Sequence, residues 1–198
     1  FTPADLIAKL VQGAIDLECG STTITFGRME QVAFSHMISV DGGSLLATVD
    51  SGIGTVKDLR GKRVGVIPNT TTKKALPAAL AGASIQVTPI PVAEIGEGLR
   101  ALEEGRLAAY ASDRFLLAGL LTTAKNPAKL RLSGEYFSYE PYGPMLRRGD
   151  NAFQARVNRT LSHLYRSGLV QIYEKWFGPF AGASPLVKAL YLLHSWPD

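Results

Sequence analysis

The sequence predicts an α/β fold, and three observations lead to that prediction. Between residues 56 and 124, short apolar stretches alternate with amphipathic ones, as strand–helix units do. The two ends differ from this middle, because strands follow a helix at the start and helices follow one another at the end. Apolar residues make up 46% of the 198 residues and charged residues 19%, which is typical of a globular chain with a sizeable core.

The N-terminal part begins with a predicted helix. Thr2 is suited to cap this helix and Pro3 to lie in its first turn, and apolar residues form one face up to Gly13. The apolar run Ala14-Ile15-Asp16-Leu17 then predicts a short buried strand. The other predicted segments of this part are a packed stretch at 31–35, a turn at 41–43 and a strand at 44–48.

The middle part is expected to form a parallel sheet covered by helices. Its predicted strands are 63–67, 85–90 and 107–111, and its predicted helices are 72–80, 94–104 and 113–124. Residues 130–146 return to extended character, interrupted by Pro141 and Pro144. The C-terminal part predicts three helices, at 151–166, 169–177 and 185–194.

Composition excludes several functional classes. Lys and Arg number 21 against 17 acids, but these positive charges are scattered, so no nucleic-acid surface is predicted. No apolar run is as long as a membrane span, and the first residues lack the pattern of a signal peptide, although a mature chain would have lost its leader. The single cysteine, Cys19, is expected to be a free, buried thiol. No metal site and no cofactor are predicted.

One candidate binding loop follows the first strand. Its sequence, Glu18-Cys19-Gly20-Ser21-Thr22-Thr23, places hydroxyls at a carboxyl strand end and leads to Arg28. Hydroxyls there can orient polar groups, and a guanidinium matches a carboxylate with two hydrogen bonds. The alternative is a plain Ser/Thr turn with Arg28 on the surface.

Two candidates lie in the middle part. Asn69, Thr70, Thr71 and Thr72 separate a strand from a helix, so their amides and hydroxyls could bind an anion. Asp113 follows the strand at 107–111, again at a carboxyl strand end. For each, the alternative is a simple helix cap. Together, however, Arg28 and the threonine amides suit a carboxylate and Asp113 suits an ammonium, which are the two ends of an amino-acid zwitterion.

These residues, in this order, resemble the amino-acid-binding members of the periplasmic solute-binding proteins that serve ABC importers. The resemblance covers nearly the whole chain, and the run Glu18 to Thr23 is most similar to the glutamate/aspartate branch. The other stretches that carry it are Arg28 with 32–35, Leu59-Arg60-Gly61-Lys62, 102–106, 110–114, 142–147 and Lys175-Trp176-Phe177-Gly178.

The resemblance implies a two-lobed, periplasmic-binding-protein-like fold of type II with parallel-rich sheets, and a ligand held between the lobes. It implies that lobe 1 holds residues 1–47, lobe 2 holds 48–138, and the chain returns to lobe 1 at 139–198. It also implies no catalysis, a periplasmic location, and an ABC permease as partner. The implied ligand residues are Arg28 with Thr71 for the α-carboxylate, and Ser21, Thr23 and Asp113 for the α-ammonium. Thr70 is added as a ligand residue from the anion-site pattern described above.

Departures from the family pattern concern the ligand's side chain. Leu6, Ser44 and Ile95 stand where arginine, arginine and histidine are expected in binders of acidic amino acids. Asn69 and Pro144 also differ from the usual residues. We therefore expect a neutral or hydroxylated amino acid as ligand, unless Lys73 or Arg114 supplies the missing charge.

Two rival functions share these features. A dehydratase-like enzyme would need a catalytic constellation, but His36, His163 and His194 have no clear nucleophile or metal-spaced partner. Turnover of a prephenate-like substrate would identify such an enzyme. A ligand-sensing receptor domain of the same fold cannot be separated by sequence, whereas neighbouring genes for a permease and an ATPase would indicate transport.

The resemblance also implies that a strand–helix–strand unit is absent ahead of Thr2. We hypothesise that this chain is a fragment or a trimmed product with an incomplete lobe 1. The strands at 14–17 and 44–48 would then keep an uncovered apolar edge or face, and the expected results are self-association or weak binding.

Overall fold

The computed structural model describes residues 3–177 and 183–197, which form two compact units. Unit 1 combines the chain up to Val40 with the chain from Pro141 onward, and unit 2 is the continuous stretch Asp41–Glu140. From the sequence, the crossings are expected after 47 and after 138, whereas the units divide after Val40 and after Glu140. The first shift arises because the strand near residue 45 pairs within the sheet of unit 2.

Ten strands and eight helices are named here in chain order. The strands are β1 Leu17–Glu18, β2 Val32–Phe34, β3 Ser39–Asp41, β4 Gly43–Thr48, β5 Val64–Val66, β6 Pro89–Pro91, β7 Ala109–Asp113, β8 Leu130–Leu132, β9 Glu140–Tyr142 and β10 Met145–Arg147. The helices are α1 Pro3–Val11, α2 Phe26–Met29, α3 Thr71–Gly82, α4 Ile95–Glu103, α5 Arg114–Thr123, α6 Asn151–Ser167, α7 Leu169–Phe177 and α8 Pro185–Leu193. Strands β3 and β9, where the chain passes between the units, form a two-stranded sheet.

Unit 1 contains a three-stranded antiparallel sheet in the order β1-β10-β2. Leu17 lies opposite Leu146, and Phe34 lies opposite Met145. Helix α1 packs its apolar face on this sheet, because Leu10 is fully buried in the same cluster as Met145. This sheet holds the start of the hydroxyl-rich loop that follows β1.

Unit 2 contains a five-stranded mixed sheet in the order β6-β5-β7-β4-β8. Strand β5 is parallel to both β6 and β7, whereas β4 is antiparallel to both β7 and β8. The central strands β4 and β7 are buried almost throughout. Because β7 ends at Asp113, that carboxylate lies at the carboxyl end of a central strand.

Both faces of this sheet are covered, and alternation along the strands assigns the side chains. Leu45 and Ala111 belong to one core cluster, which also contains Leu76 of α3. Leu46 and Tyr110 belong to a second cluster, completed by residues of α4 and α5. The period of two along a strand therefore produces two cores, one on each side of the sheet.

The predicted α/β class is confirmed, with differences in the sheets. The described strand pairs of unit 1 are antiparallel, and in unit 2 the parallel pairs are limited to β5 with its two neighbours. The predicted strand at 85–90 is represented by β6 alone, because β5 is short and offers few pairing positions. The predicted helix at 113–124 begins at Arg114 instead, because Asp113 is the last residue of β7.

The expectation of an uncovered edge is wrong for residues 44–48. Strand β4 pairs with β7 on one side and β8 on the other, and its residues 43–47 are buried. Strand β1 lies at one edge of its sheet, so the expected self-association stays a prediction for unit 1.

The predicted cap Thr2 lies outside the described residues. Within the described part of the chain, no helix combines the length and apolar character that crossing a membrane requires.

Candidate functional site

The hydroxyl-rich loop of unit 1 leaves β1 and is fixed at Thr23. Thr23 is buried and forms an isolated antiparallel bridge with Tyr142. The next amide, that of Ile24, donates a 2.7 Å hydrogen bond to the carbonyl of Pro141. Ser21, in contrast, is exposed in a bend of the same loop. The structure thus holds Thr23 firmly and leaves Ser21 at the surface.

Arg28 lies on the short helix α2, directly after this loop. The hydroxyl of Thr25 caps α2 by accepting a 3.2 Å hydrogen bond from the amide of Arg28. The guanidinium Nη1 of Arg28 donates to the carbonyl of Thr23 at 2.5 Å. Two predicted site residues, Thr23 and Arg28, therefore lie in direct contact, and Arg28 is half-buried rather than fully exposed.

Two residues at the base of the loop have a supporting role. Glu18 is buried, and its Oε1 accepts a 2.6 Å hydrogen bond from the amide of Gly20. Cys19 carries a free thiol, but it is exposed, so the expectation of a buried thiol is wrong. Desolvation and the nearby carboxylate of Glu18 raise the pKa of Cys19, which disfavours the nucleophilic thiolate.

In unit 2, Thr70 acts as the cap of helix α3. Its Oγ1 accepts a 3.1 Å hydrogen bond from the amide of Lys73 and donates to the carbonyl of Ile67 at 2.8 Å. Asn69, just before it, has a φ of 62°, in the left-handed region that asparagine tolerates. Thr71 is the first residue of α3. The cap alternative is therefore realised for Thr70, while Thr71 remains a candidate for ligand contact.

Asp113 behaves differently from Thr70. It occupies the position from which an aspartate would cap α5, yet its side chain makes no cap hydrogen bond. Its Oδ1 instead accepts a 2.7 Å hydrogen bond from the hydroxyl of Thr72, and both side chains are buried. The carboxylate is thus fixed by α3, and the helix-cap alternative fails for Asp113.

Unit 2 buries further polar side chains besides Asp113 and Thr72. Ser44 is fully buried and donates a 3.0 Å hydrogen bond to the carbonyl of Glu135. Arg114 donates to the carbonyl of Ser133, and its guanidinium lies 5.5 Å from the centre of the Tyr136 ring. The buried polar residues of unit 2 are Asp41, Ser44, Thr72, Ser112, Asp113, Ser133 and Glu140.

Two roles in unit 2 could not be foreseen from the sequence, those of Asp41 and Thr72. The sequence places Asp41 in a turn before two glycines, and it groups Thr72 with the threonines whose amides and hydroxyls could bind an anion. In the structure, Asp41 accepts a hydrogen bond from the amide of Phe115, and Thr72 holds Asp113. Asp41 is the last residue of β3 and Thr72 is the second residue of α3, so neither follows the strand-end pattern that selected Asp113.

The three positions that depart from the family pattern are packing or structural positions. Leu6 packs against the core of unit 1, and Ile95 packs against a core cluster of unit 2. Ser44 uses its hydroxyl within unit 2, as described above. Two of the three are apolar, so they offer no cation to a ligand.

The charged and hydroxyl groups described above can bind charged and polar groups of a ligand. Among residues 3–177 and 183–197, no group of three or more His, Cys, Asp and Glu is placed to hold a metal ion. His36 and His194 contact each other, with ring centroids 4.9 Å apart, and His36 also contacts the ring of Trp196. The site groups are one guanidinium with a threonine in unit 1, and one buried carboxylate with hydroxyls in unit 2.

Comparison with known proteins identifies related chains. The family model of the bacterial extracellular solute-binding proteins, family 3, matches residues 1–179. The L-glutamate/L-aspartate-binding protein of Pseudomonas aeruginosa is 39% identical over 170 residues, which are 85% of this chain and 56% of that protein. The glutamate/aspartate import solute-binding protein of Escherichia coli strain K12 is 34% identical over 178 residues, 89% of this chain and 59% of that protein. This chain therefore spans a little over half the length of these relatives.

Solved structures show the same fold. An ancestral arginine-binding protein bound to glutamine has a TM-score of 0.75 and 30% identity, covering 89% of this chain and 77% of that one. A mutant of ArgBP from T. maritima has a TM-score of 0.77 and 29% identity, covering 90% and 76% of the two chains.

Proposed function

The chain belongs to family 3 of the bacterial extracellular solute-binding proteins, and from this premise we propose that it captures an L-amino acid for an ABC importer. We place this activity in the periplasm, with the importer's permease as partner. The relatives named above include amino-acid-binding proteins, which supports an amino acid as the solute. The proposal includes no chemical conversion of the solute, because family members bind it and hand it on.

One observation, the buried carboxylate of Asp113, supports the proposal at the level of individual residues. Asp113 is a buried carboxylate that does not serve its own helix and is oriented by Thr72. A carboxylate held in place by burial and by a hydrogen bond can form a charge-assisted bond with an ammonium group. We therefore assign Asp113 to the α-ammonium end of the ligand.

The other end of the zwitterion requires donors. We assign the α-carboxylate to Arg28, with help from Thr71 and the amides at the start of α3, and we add Thr23 and Ser21 as polar contacts. A guanidinium binds a carboxylate with a planar pair of hydrogen bonds, and helix N-terminal amides favour anions. Thr70 contributes through the α3 cap rather than through a free hydroxyl.

We propose a neutral or hydroxylated side chain for the bound amino acid. Leu6 and Ile95 pack against cores, and Ser44 bonds a carbonyl, so none of the three supplies a cation. A side-chain carboxylate without such a partner would incur a desolvation cost of about several kcal/mol. Lys73 or Arg114 would change this ranking if it supplied the missing cation, and glutamate or aspartate as the tightest ligand would refute it.

Calorimetry with the twenty common L-amino acids tests the proposal. We expect at least one amino acid to bind, and Arg28→Ala and Asp113→Asn each to weaken binding by about 2 to 5 kcal/mol, because each removes one partner of a buried charged pair. Matched controls are Arg100→Ala and Asp16→Asn, which change exposed ion-paired residues and should leave affinity unchanged.

The outcomes separate the function from the site. Unchanged affinity in both Arg28→Ala and Asp113→Asn would show that the site is misassigned, although the protein binds amino acids. If the unaltered protein binds no amino acid, the proposed function itself is wrong.

A further inference from the structure

The start of helix α5 is capped from a distant part of the chain. The amide of Arg114 donates a 3.0 Å hydrogen bond to the carbonyl of Gly42, and the amide of Phe115 donates a 2.9 Å hydrogen bond to Oδ2 of Asp41. Helix N-termini need such acceptors, and the residue just before the helix normally provides one with its side chain. Here that residue is Asp113, and its side chain provides none.

The geometry of the sheet explains why residues 41 and 42 reach α5. Strands β4 and β7 are antiparallel, with Gly43 directly opposite Asp113, so the residues before β4 lie beside the residues after β7. Gly42 must be glycine for this approach, since a Cβ there would come within 2.4 Å of the carbonyl oxygen of Ser138. The turn thus places the Asp41 carboxylate beside the amide of Phe115, which the Asp113 side chain would normally cap.

A second contact fixes the Asp113 carboxylate, which does not cap α5. Thr72 donates its hydroxyl to Oδ1 of Asp113 at 2.7 Å, from helix α3. Thr72 and Asp113 are 2% and 7% exposed, so water competes little for this bond. Thr72 of helix α3 therefore orients the Asp113 carboxylate. Asp41 provides the acceptor for the Phe115 amide in the first turn of α5.

We propose that Asp41 and Thr72 are positioning residues that keep the Asp113 carboxylate directed at the α-ammonium group of the amino acid. This inference rests on the proposed function, in which Asp113 binds that group. Without Asp41, the amide of Phe115 loses the carboxylate that caps it, and Asp113 is the nearest other carboxylate in sequence. Asp113 then turns to cap its own helix and is lost to the ligand.

The test compares each variant's affinity for two probes. The first probe is whichever of the twenty common L-amino acids binds the unaltered protein most tightly, and the second is its 2-hydroxy acid, which lacks the ammonium. We expect Asp41→Ala and Thr72→Val each to weaken amino-acid binding about tenfold. Binding of the 2-hydroxy acid should weaken much less, because its hydroxyl can donate only a neutral hydrogen bond to Asp113, whereas the ammonium forms a charged pair.

Conservative variants and one control sharpen the test. Thr72→Ser keeps a hydroxyl and should restore the affinity lost in Thr72→Val, and Asp41→Asn keeps an acceptor and should lose less than Asp41→Ala. Asp58 accepts backbone amides in the same way elsewhere in unit 2, so Asp58→Ala should leave both affinities unchanged. Finally, Asp41→Ala added to Asp113→Asn should cause no further loss, because the two act through one carboxylate.

The results that would overturn the inference are distinct from those that would overturn the function. Equal weakening of both probes, or losses that add in the Asp41→Ala, Asp113→Asn double variant, would show that Asp41 acts only through stability. If Asp41→Ala does not fold, a selective loss in Thr72→Val that Thr72→Ser fails to restore would refute the positioning role. If no amino acid binds the unaltered protein, the proposed function is wrong, and the positioning role that rests on it is wrong as well.

Discussion

His36 lies between β2 and β3 in an aromatic setting that disfavours its charged form. Its ring contacts Trp196 at 4.4 Å and His194 at 4.9 Å, and its buried Nε2 has no hydrogen-bond partner among the described residues. Burial, and secondly the neighbouring His194, lower the pKa of His36 below its usual value near 6.5. The folded protein therefore prefers a neutral imidazole at this position.

This preference predicts a loss of stability in acid. Above about pH 6.5 His36 is neutral in both states and contributes nothing. As the pH falls below that value, the unfolded chain takes up the proton first, so the free energy of unfolding decreases until the folded imidazole is also protonated. His36→Gln should reduce this decrease.

Urea unfolding between about pH 7.5 and pH 5 measures the effect. Trp196 fluorescence in a Trp176→Phe background reports on the segment that contacts His36. An identical pH dependence in the protein with His36 and in His36→Gln would contradict the prediction.

At this scale, sequence reasoning selects residues that follow a recognisable strand end. Asp113, directly after an apolar strand, and Arg28, at the end of the loop after β1, could be selected in this way, and both make specific contacts, while their contact with a ligand stays a prediction. Asp41 could not be selected, because its partner amide is 74 positions away, and the Thr72 to Asp113 bond spans 41 positions. Such contacts depend on strand order, which local pattern does not specify.

At the scale of elements, the helices could be predicted closely and the strands less so. Helix α6 runs from Asn151 to Ser167, against a prediction of 151–166, because its apolar period and the cap provided by Asp150 are local features. Strand β6 is shorter than the predicted 85–90, since an apolar run indicates burial but not a hydrogen-bonded neighbour. The apolar run that forms β4 likewise gives no indication of its partners β7 and β8, so β4 could not be assigned to unit 2 from sequence.

The turn before β4 yields a prediction about glycine. In Gly42→Ala, the new methyl group would lie 2.4 Å from the Ser138 carbonyl oxygen and 2.6 Å from the Tyr136 ring. A backbone atom cannot move aside as a flexible side chain does, so we expect the free energy of unfolding to fall by about 1 to 3 kcal/mol.

Gly119 in α5 is the matched control. A Cβ there meets nothing within 4 Å, and glycine is unfavourable inside a helix. Gly119→Ala should therefore stabilise the protein by up to about 1 kcal/mol. Urea unfolding of both variants checks the pair, and a Gly42→Ala protein as stable as the original would show that the turn has room to adjust.

At the scale of the whole molecule, the two units differ in how the chain builds them. Unit 1 needs two separate parts of the chain, because β10 lies between β1 and β2. Unit 2 is continuous from Asp41 to Glu140, and its sheet, its helices α3 to α5 and both of its core clusters come from that stretch alone. The resemblance of the sequence to a two-lobed family suggested this division, but periodicity alone could not show which strands share a sheet.

The continuity of unit 2 predicts that residues 41–140 fold without the rest of the chain. Both faces of its five-stranded sheet are covered by its own apolar side chains, and burial of such side chains is the main term that favours folding. A fragment of residues 41–140 should unfold cooperatively in urea and show dispersed amide resonances.

The matched control is a fragment of residues 64–140, which lacks β4. Because β4 is hydrogen-bonded between β7 and β8, its removal separates β8 from the sheet, and this shorter fragment should remain unfolded. An unfolded 41–140 fragment would show instead that unit 2 depends on unit 1 for its stability.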